Sequence, residues 1–383
     1  MRHVLPRLAA VVLALASAAL SAADDNAFNP AISLILSGTY GRFEQDPADY
    51  TIPGFALGEE TEPGVEGLSL GESELVMSAN VDAQFFGRFT AALAPDGGLS
   101  VEEAFLRTLA LPAGLTLQAG RFYSELGYLN SRHVHQWDFV DQPLVYRAFL
   151  ANQYGDDGVQ LSWLAPTEYY LLLGTELLRG DGYPAGGAAR QGAGSETVFV
   201  TTGGDIGVSH SWQAGLGYLY ARADPRDTSP PALSFSGDTR QLSAHLVWKW
   251  APQGNPYQHN LVLQGEYLAN REQGVYSGDA SGSADTRRNG WYAQGVYQFV
   301  HGWRAGLRYD HLSPGSPGAA LAGTVLDPQG HQARRMSLML DFSHSEFSRL
   351  RLQYNHDQSS PQADRQWFLQ YIMSLGAHGA HRF

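Results

Sequence analysis

The constraint that dominates this chain is a two-residue hydrophobic rhythm, renewed in about sixteen segments between 31–41 and 365–383. In Glu72–Val81, Leu75, Met77, Ala79 and Val81 share one parity, and Glu72, Glu74, Ser78 and Asn80 share the other. The next segment sets Phe85, Phe89 and Leu93 against Gln84, Arg88 and Thr90. Further on, Leu242, Leu246, Trp248 and Trp250 alternate with Gln241, Ser243, His245 and Lys249, and Met336, Leu338, Leu340 and Phe342 with Arg335, Ser337 and Asp341. Successive side chains of a strand point to opposite faces, so each segment has one apolar and one polar face.

A soluble β-sandwich alternates in the same way. Three features favour a membrane barrel. Many segments run to about ten residues, longer than the usual five or six. Aromatics gather near segment ends, as at Tyr169, Trp212, Tyr218, Trp248, Trp250, Trp291, Trp303 and Trp367. The chain also opens like an export signal: Arg2 and Arg7, an apolar run Val11–Leu20, then Ser21-Ala22-Ala23. The expectation is a signal peptide at 1–23 and one barrel domain at 24–383.

The links alternate as well. Short ones fall near 80–83, 111–114, 165–167, 209–210, 251–258, 301–302 and 344–346. Mostly longer ones are 42–70, 94–99, 123–156, 179–196, 223–238, 271–287, 312–332 and 357–364. The fold class expected is all-β: a transmembrane antiparallel barrel of about 16 strands in the outer membrane, with short periplasmic turns and long external loops. Lipid is then its outer partner.

The chain has no cysteine, which excludes disulfides and thiolate chemistry. Its net charge of −13 becomes −15 once Arg2 and Arg7 are removed, with Lys249 the single lysine. An acidic chain is a poor partner for nucleic acid.

The third long link, Tyr123–Asp157, has about 34 residues, and structureless loops of that length are usually functional. It carries Leu126, Tyr128, Leu129, Trp137, Phe139, Val140, Leu144, Tyr146, Phe149, Leu150 and Tyr154. A loop in water has no need of them, whereas a loop folded into the lumen packs them on the wall. Its polar members, Glu125, Arg132, His133, His135, Asp138, Asp141 and Arg147, are then expected to form the pore constriction. The lumen wall is expected to present Arg88, Arg304, Arg308, Arg335, Arg349 and Arg351 against Glu72, Glu74, Glu168, Glu176, Glu266, Asp310 and Asp341. Charge rings of this kind tune selectivity.

A long third external loop in about sixteen strands resembles the general diffusion porins and the phosphate-selective porins. The runs Phe28-Asn29-Pro30-Ala31-Ile32-Ser33-Leu34-Ile35-Leu36, Asp46-Pro47-Ala48-Asp49-Tyr50, Ile52-Pro53-Gly54-Phe55, Gly67-Leu68-Ser69-Leu70-Gly71, Trp137-Asp138-Phe139-Val140-Asp141 and Ser374–His381 resemble a narrower family. That family is commonly labelled zinc-regulated or TonB-dependent-receptor-like. A TonB-dependent receptor needs a plug and about 22 strands, which 383 residues do not hold. One lysine and an acidic balance disfavour phosphate. Phe383, on the outward parity, is similar to the signal read by the bacterial barrel-insertion machinery.

Two histidines two apart, His133 and His135, share a face if extended, and Asp138 completes an N/N/O set suited to zinc. His378 and His381 form a second pair. Zinc is expected only as a weakly bound or transported ion, with no cofactor required. Ser124, Ser131, His133 and Asp138 lie close together, but there is no G-x-S-x-G nucleophile motif, and no enzyme is expected. The functional expectation is a porin-like channel for passive diffusion of small hydrophilic solutes or ions, forming a homotrimer. The alternatives are a zinc-linked uptake channel and a plugged binding or structural barrel.

Overall fold

The computed structural model describes residues 30–94, 97–187, 192–229 and 233–376. The signal segment 1–23, His378, His381 and Phe383 lie outside the described residues. The described strands are β1 Ala31–Arg42, β2 Gly67–Leu70, β3 Ser73–Asn80, β4 Phe85–Leu93, β5 Leu99–Thr108, β6 Leu115–Tyr123, β7 Gly155–Leu164, β8 Tyr170–Leu178, β9 Ser195–Ile206, β10 His210–Asp227, β11 Leu233–Trp250, β12 Asn260–Gly278, β13 Gly282–Val300, β14 Trp303–Ser313, β15 Arg334–Ser345, β16 Ser348–Gln358 and β17 Asp364–Gly376.

Except for β2 and β3, which both pair with β1, the strands pair antiparallel with their sequence neighbours, and β1 pairs with β17 over Ser33–Arg42 and Trp367–Gly376, closing the sheet on itself. Both β2 and β3 lie on β1, so they are two halves of one stave broken at Gly71-Glu72. The barrel therefore has sixteen staves. Closure gives every described stave a paired neighbour on both sides, as hydrocarbon requires because it offers no hydrogen bonds.

The outward parity is the apolar one. Leu242, Leu246, Leu338 and Leu352 are 44–56% exposed on the outside, whereas Ser337 and Gln241 are buried inside. Aromatic pairs mark both rims of this surface, with Trp303 and Phe342 4.8 Å apart toward the short turns and Tyr354 and Trp367 4.7 Å apart toward the long loops. That belt is the lipid-facing surface of an outer-membrane-type barrel.

The wall is uneven in height. Strands β3–β8 have 8–10 residues, but β12 and β13 have 19 each. At ~3.3 Å per residue the long ones span ~60 Å of chain, well beyond a ~30 Å hydrocarbon layer. The expected loops 223–238 and 271–287 are thus mostly strand, leaving links at 228–232 and 279–281. The alternation continues there with polar pairs in place of lipid contacts, such as Arg271 with Asp285 at 2.7 Å.

Candidate functional site

The link Ser124–Tyr154 folds inside the barrel. Its neck is closed by Asn130, whose side-chain amide donates to Ser124 O and Tyr154 O and whose Oδ1 accepts from Tyr154 N, each at 2.7 Å. Its single α-helix, α1 Leu144–Leu150, is buried along its whole length against β12, β13 and β14. It ends where Ala151 turns left-handed, at φ 45°.

Four regions of the wall hold this loop. On β8, Glu176 accepts from Ser124 Oγ at 2.5 Å and from Glu125 N at 3.0 Å. On β12, Glu266 accepts from Tyr128 N at 2.7 Å, Leu129 N at 3.1 Å and Tyr146 Oη at 2.9 Å. Gly127 passes so close to this carboxylate, with φ +84°, that a Cβ there would lie 2.6 Å from Glu266 Oε2. Only glycine suits that position.

The third region is the arginine wall. Asp141 Oδ1 lies 2.7 Å from Arg308, and Oδ2 lies 2.8 Å from Arg335 and 3.3 Å from Arg147. Asp138 pairs with Arg304 at 2.9 Å, and Trp137 O accepts from Arg351 at 2.8 Å. Burial would raise the Asp141 carboxyl, but Arg335, Arg308 and Arg147 hold it far below the usual carboxylate range. The arginines are also spaced by wall acids, with Arg304 2.5 Å from Asp341 and Arg308 3.1 Å from Asp310. The basic wall and the acidic loop are therefore docked and neutralise each other in contact, so Asp138 and Asp141 do not line an open constriction as expected. Asp141 and Arg147 are sealed from solvent and fasten the loop.

The fourth region is formed by β3, β4 and β5. His133 Nδ1 lies 3.2 Å from Glu102 Oε2 and 3.3 Å from Glu74 Oε2, while Nε2 lies 2.9 Å from Glu103 Oε2. Arg88 pairs with Glu103 at 2.7 Å. His135 Nδ1 is 2.9 Å from Glu74 Oε1, and its ring stacks on that of His133 at 5.8 Å. Burial alone would lower the His133 pKa, but hydrogen bonds to Glu102 and Glu103 hold it at about 10. The expected set of His133, His135 and Asp138 is only half assembled, since Asp138 is engaged with Arg304 on the arginine wall.

Of the carboxylates at His133, Glu102 and Glu103 escaped the sequence reading because of a bulge. Thr90 pairs with Glu103 and Ala91 with Val101, so Glu102 is the extra residue of β5. A bulge lets two consecutive residues face one side, which strict alternation forbids. The adjacent pair Glu102-Glu103 in an otherwise alternating strand is the one sequence signal. Glu168 is also corrected: it sits exposed in the turn before β8, off the lumen.

A chamber of about 650 Å³ remains beside the loop. Glu125, Arg132, His133 and His135 line it from the loop, and Arg88, Arg107, Glu103 and Asp205 from the wall. Toward the long-loop end the lumen is packed instead. Ile52, Phe55 and Leu57 of the link 43–66 are buried in one cluster with α1. Arg288 Nε donates to Gly54 O at 2.8 Å, and Gly54 N donates to Val325 O at 2.8 Å. Sequence reading missed this lid, although the apolar Ile52, Phe55 and Leu57 in an external loop were its signal.

A closed barrel of sixteen staves with a long loop folded inward defines the porin-type class of outer-membrane barrels. The backbone is similar to an anion-selective porin from Comamonas acidovorans, at TM-score 0.58 and 11% identity over 91% of this chain and 99% of that one. It is similar to the outer membrane channel DcaP of Acinetobacter baumannii, at TM-score 0.55 and 12% identity over 91% and 97%. It is also similar to OmpT of Vibrio cholerae, folded in vitro in its trimer form, at TM-score 0.54 and 10% identity over 91% and 99%. No family model matches the chain. The chain belongs to one family with an uncharacterised protein of Aquifex aeolicus (strain VF5), to which it is 32% identical across 93% of its own length and 80% of the relative's. The porin-like fold of the resemblance therefore stands, and the zinc-regulated and TonB-dependent-receptor labels find no counterpart in these relatives.

Proposed function

We propose that the chain is a narrow outer-membrane channel through which small hydrophilic solutes or ions diffuse passively. The observation that carries this reading is the inward loop, which narrows a polar lumen yet leaves a 650 Å³ chamber lined by both signs of charge. Glu125, Arg132, His133 and His135 form the constriction, and Asp138, Asp141 and Arg147 hold the loop against the wall. The channel is not an enzyme in this reading: the Ser124 hydroxyl is spent tying the loop to Glu176, and His133 is held among carboxylates, so these two do not form a serine–histidine pair. A trimer in outer-membrane lipid is the assembly we infer, as in the trimer form of the Vibrio cholerae protein.

A second reading, a barrel plugged at its external mouth, is favoured by the buried Ile52, Phe55 and Leu57. Current through the purified protein in a planar bilayer separates the two. Stepwise openings with an ohmic current support the channel, and a silent bilayer containing folded protein supports the plug. The four carboxylates Glu72, Glu74, Glu102 and Glu103 near the chamber favour cations, zinc among them, so the reversal potential in a KCl gradient is expected on the cation side.

A further inference from the structure

We propose that Glu74, Glu102 and His133 form a binding site for one divalent transition-metal ion, best matched by zinc, on the chamber wall. The three donor atoms come from β3, from the bulge of β5 and from the inward loop, and they lie within 4.8 Å of one another. His133 Nδ1 is 3.2 Å from one carboxylate oxygen and 3.3 Å from the other. Zinc binds imidazole nitrogen and carboxylate oxygen at about 2.0–2.1 Å, so the edges of its coordination tetrahedron are about 3.3–3.4 Å. The two nitrogen–oxygen separations match those edges.

Two further observations point to a ligand. Glu74 is fully buried, and its Oε2 makes no hydrogen bond, meeting only the His133 ring nitrogen at 3.3 Å. Its other oxygen is tied to His135, which aims Oε2 at the His133 nitrogen. The far nitrogen of His133 is held at 2.9 Å by Glu103, whose own position is set by Arg88. A carboxylate on the second ring nitrogen is the arrangement that orients metal-bound histidines and makes them better donors. Glu72 adds another buried oxygen, Oε1, without a partner. Arg88 balances Glu103, which leaves Glu72, Glu74 and Glu102 facing two imidazoles.

One nitrogen with two carboxylates selects a transition metal over calcium or magnesium, which prefer oxygen alone. His133 lines the chamber, which gives the ion a route to the site, with Glu74 fully buried behind it. On binding, the proton of His133 Nδ1 passes to water. The inference rests on the chamber being reached by water, as the channel reading requires, and not on conduction.

The test is calorimetric titration of the refolded full-length barrel in detergent with zinc chloride, beside calcium chloride. One zinc per chain is expected, with no comparable calcium binding. Glu102→Gln and His133→Gln should each weaken zinc at least about tenfold, and His378→Ala with His381→Ala should leave it unchanged. Absorption at the zinc edge of the unsubstituted protein should show one imidazole among oxygen ligands, which decides the matter even if a variant fails to fold. The site is overturned by a folded chain that binds no zinc, by binding that survives both substitutions, by binding lost with the tail pair, or by a spectrum with no imidazole or several. Zinc binding without current would sink the channel reading alone, and current without zinc binding would sink this site alone.

Discussion

Asp141 and Arg335 are 194 residues apart in sequence and 2.8 Å apart in space. The contact joins the inward loop to β15, and Arg308 on β14 completes it from 2.7 Å. Both arginines are 1% exposed, so neither has water to replace a lost anion. Asp141→Asn should cost ~3–5 kcal/mol, the usual price of leaving buried charge uncompensated. Thermal unfolding followed by heat-modified gel mobility reads this out. A loss below ~1 kcal/mol would mean that the ion cluster does not fasten the loop. The folded carboxyl is held below its ordinary value near 3.9, so its stabilisation is present above that pH and fades as pH falls toward the lower folded value.

Glu266 gathers the backbone amides of Tyr128 and Leu129 and the hydroxyls of Tyr146 and Tyr292 on one carboxylate. Glutamine at this position offers one acceptor oxygen and places an N–H against donors. Glu266→Gln should cost ~1–3 kcal/mol for the groups left unsatisfied. Protease nicking within 124–154 should rise in parallel. Unchanged nicking would show that the loop is held without this carboxylate.

Leu338 faces lipid and Gln213 faces the chamber. Leu338→Arg near the bilayer midplane should cost ~2–4 kcal/mol and lower the folded yield, whereas Gln213→Arg meets water and should fold normally. Ser337, next to Leu338, is no suitable control, because it is fully buried in the packed interior. Equal yields for Leu338→Arg and Gln213→Arg would contradict the strand phase.

Orientation has its own test. Epitope tags at 279–281 or 314–319 should stain on intact cells, and tags at Pro112 or Pro252 should stain only after permeabilisation. The long links then face outward, as loops and turns of such barrels divide. The reverse pattern would invert the barrel.

Much of the wall was legible because a period of two is a local property. Leu338 and Ser337 declare their faces to any reader of the sequence, and the sixteen staves follow from counting such runs. The inward loop was legible for a related reason, since Leu144–Leu150 is too apolar for water. The partners of the loop were not. Asp138 lies five residues from His133, yet it reaches Arg304 while His133 reaches Glu102 and Glu103. Which wall residue a loop meets depends on barrel closure and on the bulge at Glu102, and neither leaves a local pattern. The upper halves of β12 and β13 were hidden for the opposite reason: above the membrane, alternation no longer sorts apolar from polar.

The lid supplies the last prediction. Phe55 of the link 43–66 meets Phe149 of α1 edge-on, with ring centroids 5.7 Å apart, and joins the external mouth to the inward loop. Both rings are buried. Phe55→Ala should cost ~3–5 kcal/mol through lost burial and the cavity left behind. Phe149→Ala removes the same contact from the other side, so the pair should be non-additive by about 0.5–1.5 kcal/mol. Val65, half exposed in the same link, is the neutral control as Val65→Ala. If solutes pass the lid, either phenylalanine substitution should raise single-channel conductance or the open fraction, and Val65→Ala should not. Currents from Phe55→Ala identical to those of the unsubstituted chain, in protein shown to be folded, would place the lid off the conduction path.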